Sequence, residues 1–132
     1  MYHHRFASVS TSKFSLCSLN VRSLSNSDHI IALHELATSH KFHCFAISET
    51  WLSSSSTPSE VLSIPPAGYD MLAANRDSRI AGSRGGGVAL LYQRSCNLLC
   101  SNVLDYSSFE GISATLGFDL HFCMWFVYIV HL

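Results

Sequence analysis

Charge is scarce in this chain, and acid is absent from its start. Only 13% of the 132 residues are Asp, Glu, Lys or Arg, against roughly 25% in an average soluble domain, and the first acidic side chain is Asp28. Eight cationic and nine acidic groups leave a net charge of −1, so no global field draws the chain onto nucleic acid or an anionic membrane. No CxxC pair occurs, and the five cysteines are odd in number. That excludes a disulfide framework and a zinc ribbon and favours reduced thiols. The longest apolar run, Phe122–Val130, falls far short of the roughly 20 residues that span a bilayer. With no signal peptide either, the expected location is nuclear or cytoplasmic, with no membrane partner. Arg5, Lys13 and Arg22 lie in a Ser-rich setting like that of a transit peptide, but Phe14–Leu19 has the pattern of a strand rather than of an amphipathic helix.

What is abundant is apolar sequence, 48% of the residues. A length of this order sets the prior at one domain, and the apolar excess implies a deeply buried sheet or a face meant to be covered. Residues 1–13 show no period and are expected to be a loose leader, so the domain is assigned to 14–132. A first strand is predicted over Phe14–Val21. The side chains of Ser25-Asn26-Ser27-Asp28 then cap a helix whose Ile30, Leu33, Leu36 and Ala37 recur at helical spacing to about Lys41. A second strand follows over Cys44–Ser48, which makes a right-handed βαβ unit with parallel strands. The Ser- and Pro-rich stretch from Ser53 to Gly68 is read as one long surface loop without regular structure. Strands are predicted at Tyr69–Ala73, Val88–Tyr92, Leu98–Val103, Phe109–Leu116 and His121–Val130, with Asn75–Arg79 an exposed polar patch. The last strand is apolar almost throughout, as expected of one covered on both faces, and only His131-Leu132 follow it. A domain normally closes on a capping or polar segment, so the expectation is an amino-terminal portion of something longer.

Three features invite a chemical reading. Glu49 ends the Cys44–Ser48 strand, a position from which α/β proteins present catalytic acids. Asn20 ends the strand expected to lie parallel beside it, and a carboxylate with an amide oxygen at one sheet edge suits Mg²⁺, a hard cation that prefers oxygen ligands. The run Gly82-Ser83-Arg84-Gly85-Gly86-Gly87 lacks both the GKS/T ending and the GxGxxG spacing of phosphate-binding loops. It is read as a tight turn into the next strand. The eight histidines are scattered, and the one dense group, His40-x-x-His43-Cys44, has no fourth ligand nearby.

Leu19-Asn20-Val21-Arg22-Ser23-Leu24, Ile47-Ser48-Glu49-Thr50-Trp51-Leu52, Gly68-Tyr69, Arg76, Gly85-Gly86-Gly87-Val88-Ala89-Leu90, Phe109-Glu110 and Val127-Tyr128 occur in a telling order. In this order they resemble the endonuclease/exonuclease/phosphatase domain at the start of non-LTR retrotransposon polyproteins, especially jockey-like elements. The resemblance runs over about residues 14–130. It implies an α/β fold, the amino-terminal half of a DNase I-like four-layer α/β sandwich, with a mixed sheet and at least one covering helix. It also implies Mg²⁺-dependent nicking of DNA before reverse transcription. By matching motif, Asn20 would sit by the metal and scissile phosphate, Glu49 would be the metal-binding carboxylate, and Tyr128 would donate a hydrogen bond to the phosphate. DNA and the reverse transcriptase domain of a parent polyprotein are the implied partners.

The chain departs from the pattern after Tyr128, where Ile129-Val130-His131-Leu132 replaces the family's Arg-Pro-Pro, and no Asp-x-Asn occurs anywhere. Ser27-Asp28-His29 spells the family's closing tripeptide but precedes the helix, and is read as its cap. The expected consequence is a chain inactive alone, because the acid–base half of the site is missing. A missing second sheet would leave one face of the first exposed and favour self-association through it. The alternative is a non-catalytic, retroelement-derived interaction module.

Overall fold

The structure, a computed structural model, describes residues 2–5, 14–53, 55–75, 85–105, 110–118 and 123–131; positions 2–5, 105, 118 and 123–131 are described by their backbone alone. Its centre is the strand β3, Cys44–Ser48, in which every residue is buried. The alternation of a strand sends successive side chains to opposite faces, and here both faces are covered. Cys44 and Ala46 pack with Val88, Leu90, Ile112, Ala114 and Leu116 on one side. Phe45 and Ile47 pack with Leu33, Ala37, Ala89 and Leu91 on the other.

β2 (Leu16–Asn20) lies parallel to β3, joined to it by helix α1 (Ser27–His40). Asn26 caps the helix by accepting from the Asp28 N–H at 2.9 Å, and Lys41 ends it in the left-handed region with φ 49°. α1 turns Leu33 and Ala37 into the core; truncating Leu33 to Ala would cost about 2–5 kcal/mol. β5 (Val88–Gln93) pairs antiparallel with β3, and β4 (Tyr69–Ala74) antiparallel with β5. The first sheet is therefore mixed, four-stranded and ordered β2-β3-β5-β4.

A second sheet is present. β1 (Tyr2–Arg5), β6 (Asn97–Asp105), β7 (Glu110–Phe118) and β8 (Cys123–His131) form a four-stranded antiparallel sheet ordered β1-β8-β7-β6. Two expectations are corrected by it. The first sheet is not left with a bare face, because Ile112, Ala114 and Leu116 of β7 close over it. Tyr2–Arg5, inside the expected leader, is a strand paired with Tyr128–His131; the rest of 1–13 lies outside the described residues. α1, the first sheet and the second sheet thus form successive layers, the α/β arrangement expected.

The stretch 53–68 is also more ordered than its composition suggests. Pro58–Leu62 forms a short helix, α2, started by a capping box in which Thr57 accepts from the Glu60 N–H at 3.3 Å and Glu60 accepts from the Thr57 N–H at 2.7 Å. Proline rejects helix interiors but suits a first turn, where its missing N–H is not needed. Asn75 is half-buried rather than part of an exposed patch, and its Oδ1 is buried with no hydrogen-bond partner among the described residues. Arg76–Arg79 lie outside the described residues.

Candidate active site

The ends of β2 and β3 and the start of β5 meet at one pole of the first sheet. Asn20 is in register with Ser48, and Ser48 with Val88. Glu49 follows directly, so the structure brings Asn20 and Glu49 to neighbouring strand ends, as the sequence predicts. Asn20 is exposed and Glu49 half-buried.

Glu49 sits in a braced loop. Its backbone has φ 59° and that of Trp51 φ 55°, left-handed conformations that cost a side-chain-bearing residue about 1–2 kcal/mol each. Backbone hydrogen bonds on both sides hold the segment there. On the β2 side, Ser23 N–H donates to Glu49 O and Leu24 N–H to Thr50 O, both at 2.8 Å. On the β5 side, Thr50 N–H donates to Gly87 O at 3.3 Å and Trp51 N–H to Gly86 O at 2.9 Å.

The glycine run behaves as a turn into β5, with Gly85, Gly86 and Gly87 at φ 93°, 74° and 84°. Gly82–Arg84 lie outside the described residues. The run also does something its letters do not announce, because its backbone N–H groups hold carboxylates. Gly86 N–H donates to Glu49 Oε2 at 3.3 Å and Gly87 N–H to Glu110 Oε1 at 3.1 Å. The Trp51 indole Nε1–H donates to the same Glu49 Oε2 at 2.8 Å.

Glu110 is the carboxylate that sequence reasoning did not assign to the site. It is only 2% exposed, at the start of β7. A charged residue directly after Phe109 at the head of an apolar strand was the available signal, since a carboxylate is almost never fully buried without partners.

Tyr128 lies on β8 in the second sheet, in register with Ser113 and Arg5. His131 pairs with Glu110, which brings the end of β8 to the pole where Gly87 and Glu49 lie. Tyr128 stands three residues back, about 10 Å along the strand.

Ser27, Asp28 and His29 form the first turn of α1, where His29 Nδ1 is 2.9 Å from Ser23 O. His43 and Cys44 face other partners: His43 Nδ1 accepts from the Ser15 N–H at 2.9 Å, and Cys44 is in the inter-sheet core. Among the described residues, no three His, Cys, Asp or Glu side chains come together as a metal site. The oxygen donors at the strand ends, one carboxylate and one amide, fit Mg²⁺ in kind, because that ion binds through one or two carboxylates and keeps several waters.

No family model and no curated protein matches the chain. Solved structures do match in fold. The AP endonuclease LMAP from Leishmania major superposes with a TM-score of 0.59 at 12% identity, over 79% of this chain and 35% of that one. A mannosyl-6-phosphatase of Bacteroides thetaiotaomicron gives 0.58 at 15% identity, over 80% and 46%. The human Nocturnin catalytic domain gives 0.59 at 13% identity, over 88% and 48%. The fold is therefore the DNase I-like α/β sandwich, and the chain spans less than half the length of each of these neighbours. Among the described residues no helix is long and apolar enough to cross a membrane.

Proposed function

We propose that the chain is the amino-terminal portion of a Mg²⁺-dependent DNA endonuclease of the non-LTR retrotransposon type, and that it is inactive alone. The observation that carries this reading is the convergence of Asn20 and Glu49 at adjacent parallel strand ends, in a fold shared with a named endonuclease. Glu49 and Asn20 would hold the cation, which when bound would polarise a phosphoryl oxygen and stabilise the leaving oxyanion. Asn20 would also orient the phosphate, and Tyr128 would donate a hydrogen bond to it. The chain carries no Asp-x-Asn to position the water, and its Ser27-Asp28-His29 lies in the first turn of α1 rather than where the family's general base would stand. A loss of about 10²–10⁴-fold is typical when proton transfer is removed. DNA and the reverse transcriptase domain of a parent polyprotein are the partners this reading requires. Self-association would draw on exposed apolar positions of β6, namely Leu99 and Val103.

Two assays on the whole chain test the proposal. Mn²⁺ binding, followed by electron paramagnetic resonance, is expected in the wild type and lost in Glu49→Ala; binding indifferent to that substitution defeats the site assignment. Supercoiled plasmid with Mg²⁺ is expected to stay intact. Nicking that vanishes in Glu49→Ala would retain the nuclease reading and refute the inactivity.

A further inference from the structure

We propose that Trp51 is a positioning residue for Glu49: its indole N–H and the Gly86 N–H clamp Oε2 and so fix the orientation in which the carboxylate is presented. The nuclease reading supplies only what Glu49 then binds; the clamp itself is a matter of geometry.

Three observations carry it. A tryptophan is usually placed by its apolar area, yet Trp51 keeps 41% of its surface exposed, so burial alone does not fix its position. Its backbone is held in the left-handed region at φ 55°, where a bulky residue persists only if its surroundings over-determine it. The polar end of the ring points at one atom, Glu49 Oε2, at 2.8 Å.

Gly85 shows that the arrangement needs space made for it. A Cβ there would lie 3.2 Å from Glu49 Oε2 and 3.3 Å from Trp51 Nε1, crowding both partners of the bond. With Gly86 N–H on the same oxygen at 3.3 Å, Oε2 has two donors on a backbone pinned on both sides. Outer partners of this kind commonly set the orientation of a ligating carboxylate, and their loss costs on the order of tenfold in metal affinity.

The chain contains two tryptophans, so an isotope-labelled sample gives two indole N–H signals, and Trp125→Phe identifies that of Trp51. The Trp51 signal is expected to shift and to exchange with solvent about tenfold faster in Glu49→Ala. It should respond similarly in Gly85→Ala, where both side chains are kept but pushed apart. A signal unmoved by Glu49→Ala overturns the proposal. Trp51→Phe removes the donor and keeps an aromatic ring; it is expected to weaken Mn²⁺ binding on the order of tenfold with an unchanged urea midpoint. Unchanged Mn²⁺ affinity in Trp51→Phe, with binding abolished in Glu49→Ala, also overturns it. A Trp51 signal that follows Glu49 in a chain that binds no Mn²⁺ supports the clamp and removes the nuclease reading instead.

Discussion

The Gly87 N–H donates to Glu110 Oε1 at 3.1 Å, a hydrogen bond that ties the start of β5 in the first sheet to the start of β7 in the second. Glu110 is 2% exposed, so the bond is shielded from water and its loss is not made good by solvent. Hydrogen bonds to charged groups contribute about 1.5–3 kcal/mol, and an orphaned buried N–H costs a similar amount. Glu110→Ala is therefore expected to lower stability by about 2 kcal/mol in urea titration. Glu110→Gln keeps an acceptor oxygen and should cost less than Ala. A Glu110→Ala protein as stable as the wild type would show the bond to be incidental.

Two glycines with the same φ should respond differently to the same substitution. Gly68 and Gly87 both have φ +84°, but a Cβ at Gly68 meets nothing within 4 Å, whereas one at Gly87 would overlap Thr50 Oγ1. Gly68→Ala carries the left-handed penalty alone, about 1–2 kcal/mol. Gly87→Ala adds a steric overlap, typically a further 1–3 kcal/mol, and displaces the N–H that serves Glu110. Thermal melts of the two variants decide it: equal shifts would mean that Thr50 yields without cost.

The same glycines mark where the sequence stopped being readable. β3 was legible to the residue, because an apolar run of this length between polar segments is covered on both faces wherever it falls. α1 was legible from Asn26 and the helical spacing of Leu33 and Ala37. The turn at Gly85–Gly87 was legible as backbone freedom, but its two carboxylate partners come from distant segments, and no local pattern names them. Thr57 and Glu60 were hidden by the serines and prolines around them, although their spacing is that of a capping box. Tyr2–Arg5 had no period to show, because the pairing that makes it a strand is supplied by β8. That Asn20 and Glu49 fall at neighbouring strand ends was legible because a βαβ unit places successive strand ends together. Tyr128 rests on family resemblance, and the strand register alone locates it.

Thiol reactivity should sort the cysteines by layer. Burial pushes the Cys96 thiol up to about 11. It pushes Cys44 higher still, with Cys96 and then Cys17 as further charged neighbours. The thiolate is the reacting form, so both should resist alkylation at pH 8 while the chain is folded. Cys100 is exposed on β6. Iodoacetamide with peptide mapping is expected to label Cys100 first, and Cys44 and Cys96 only after unfolding. Labelling of Cys96 at the rate of Cys100 would contradict the packing of the two sheets.

Acid should loosen the junction between β2 and β3 through His43. The ring stacks on Phe14 with centroids 5.6 Å apart, and its Nδ1 accepts from the Ser15 N–H at 2.9 Å. A backbone N–H can only donate, so a proton on Nδ1 would remove that bond. Burial lowers the His43 pKa below its ordinary 6.5. The unfolded chain therefore takes up the proton at a higher pH than the folded one. Where the unfolded state binds more protons, stability rises with pH. The contribution of neutral His43 is thus fully present above about 6.5 and is lost as the pH falls from there through the folded value. Replacing His43 with Gln removes this titration. In urea titrations, the stability gap between wild type and His43→Gln is expected to narrow between pH 7.5 and pH 5, whatever the other histidines contribute to both. A gap that stays constant on acidification would mean that folding leaves the His43 pKa unshifted, and one that widens would mean that the fold favours the charged ring.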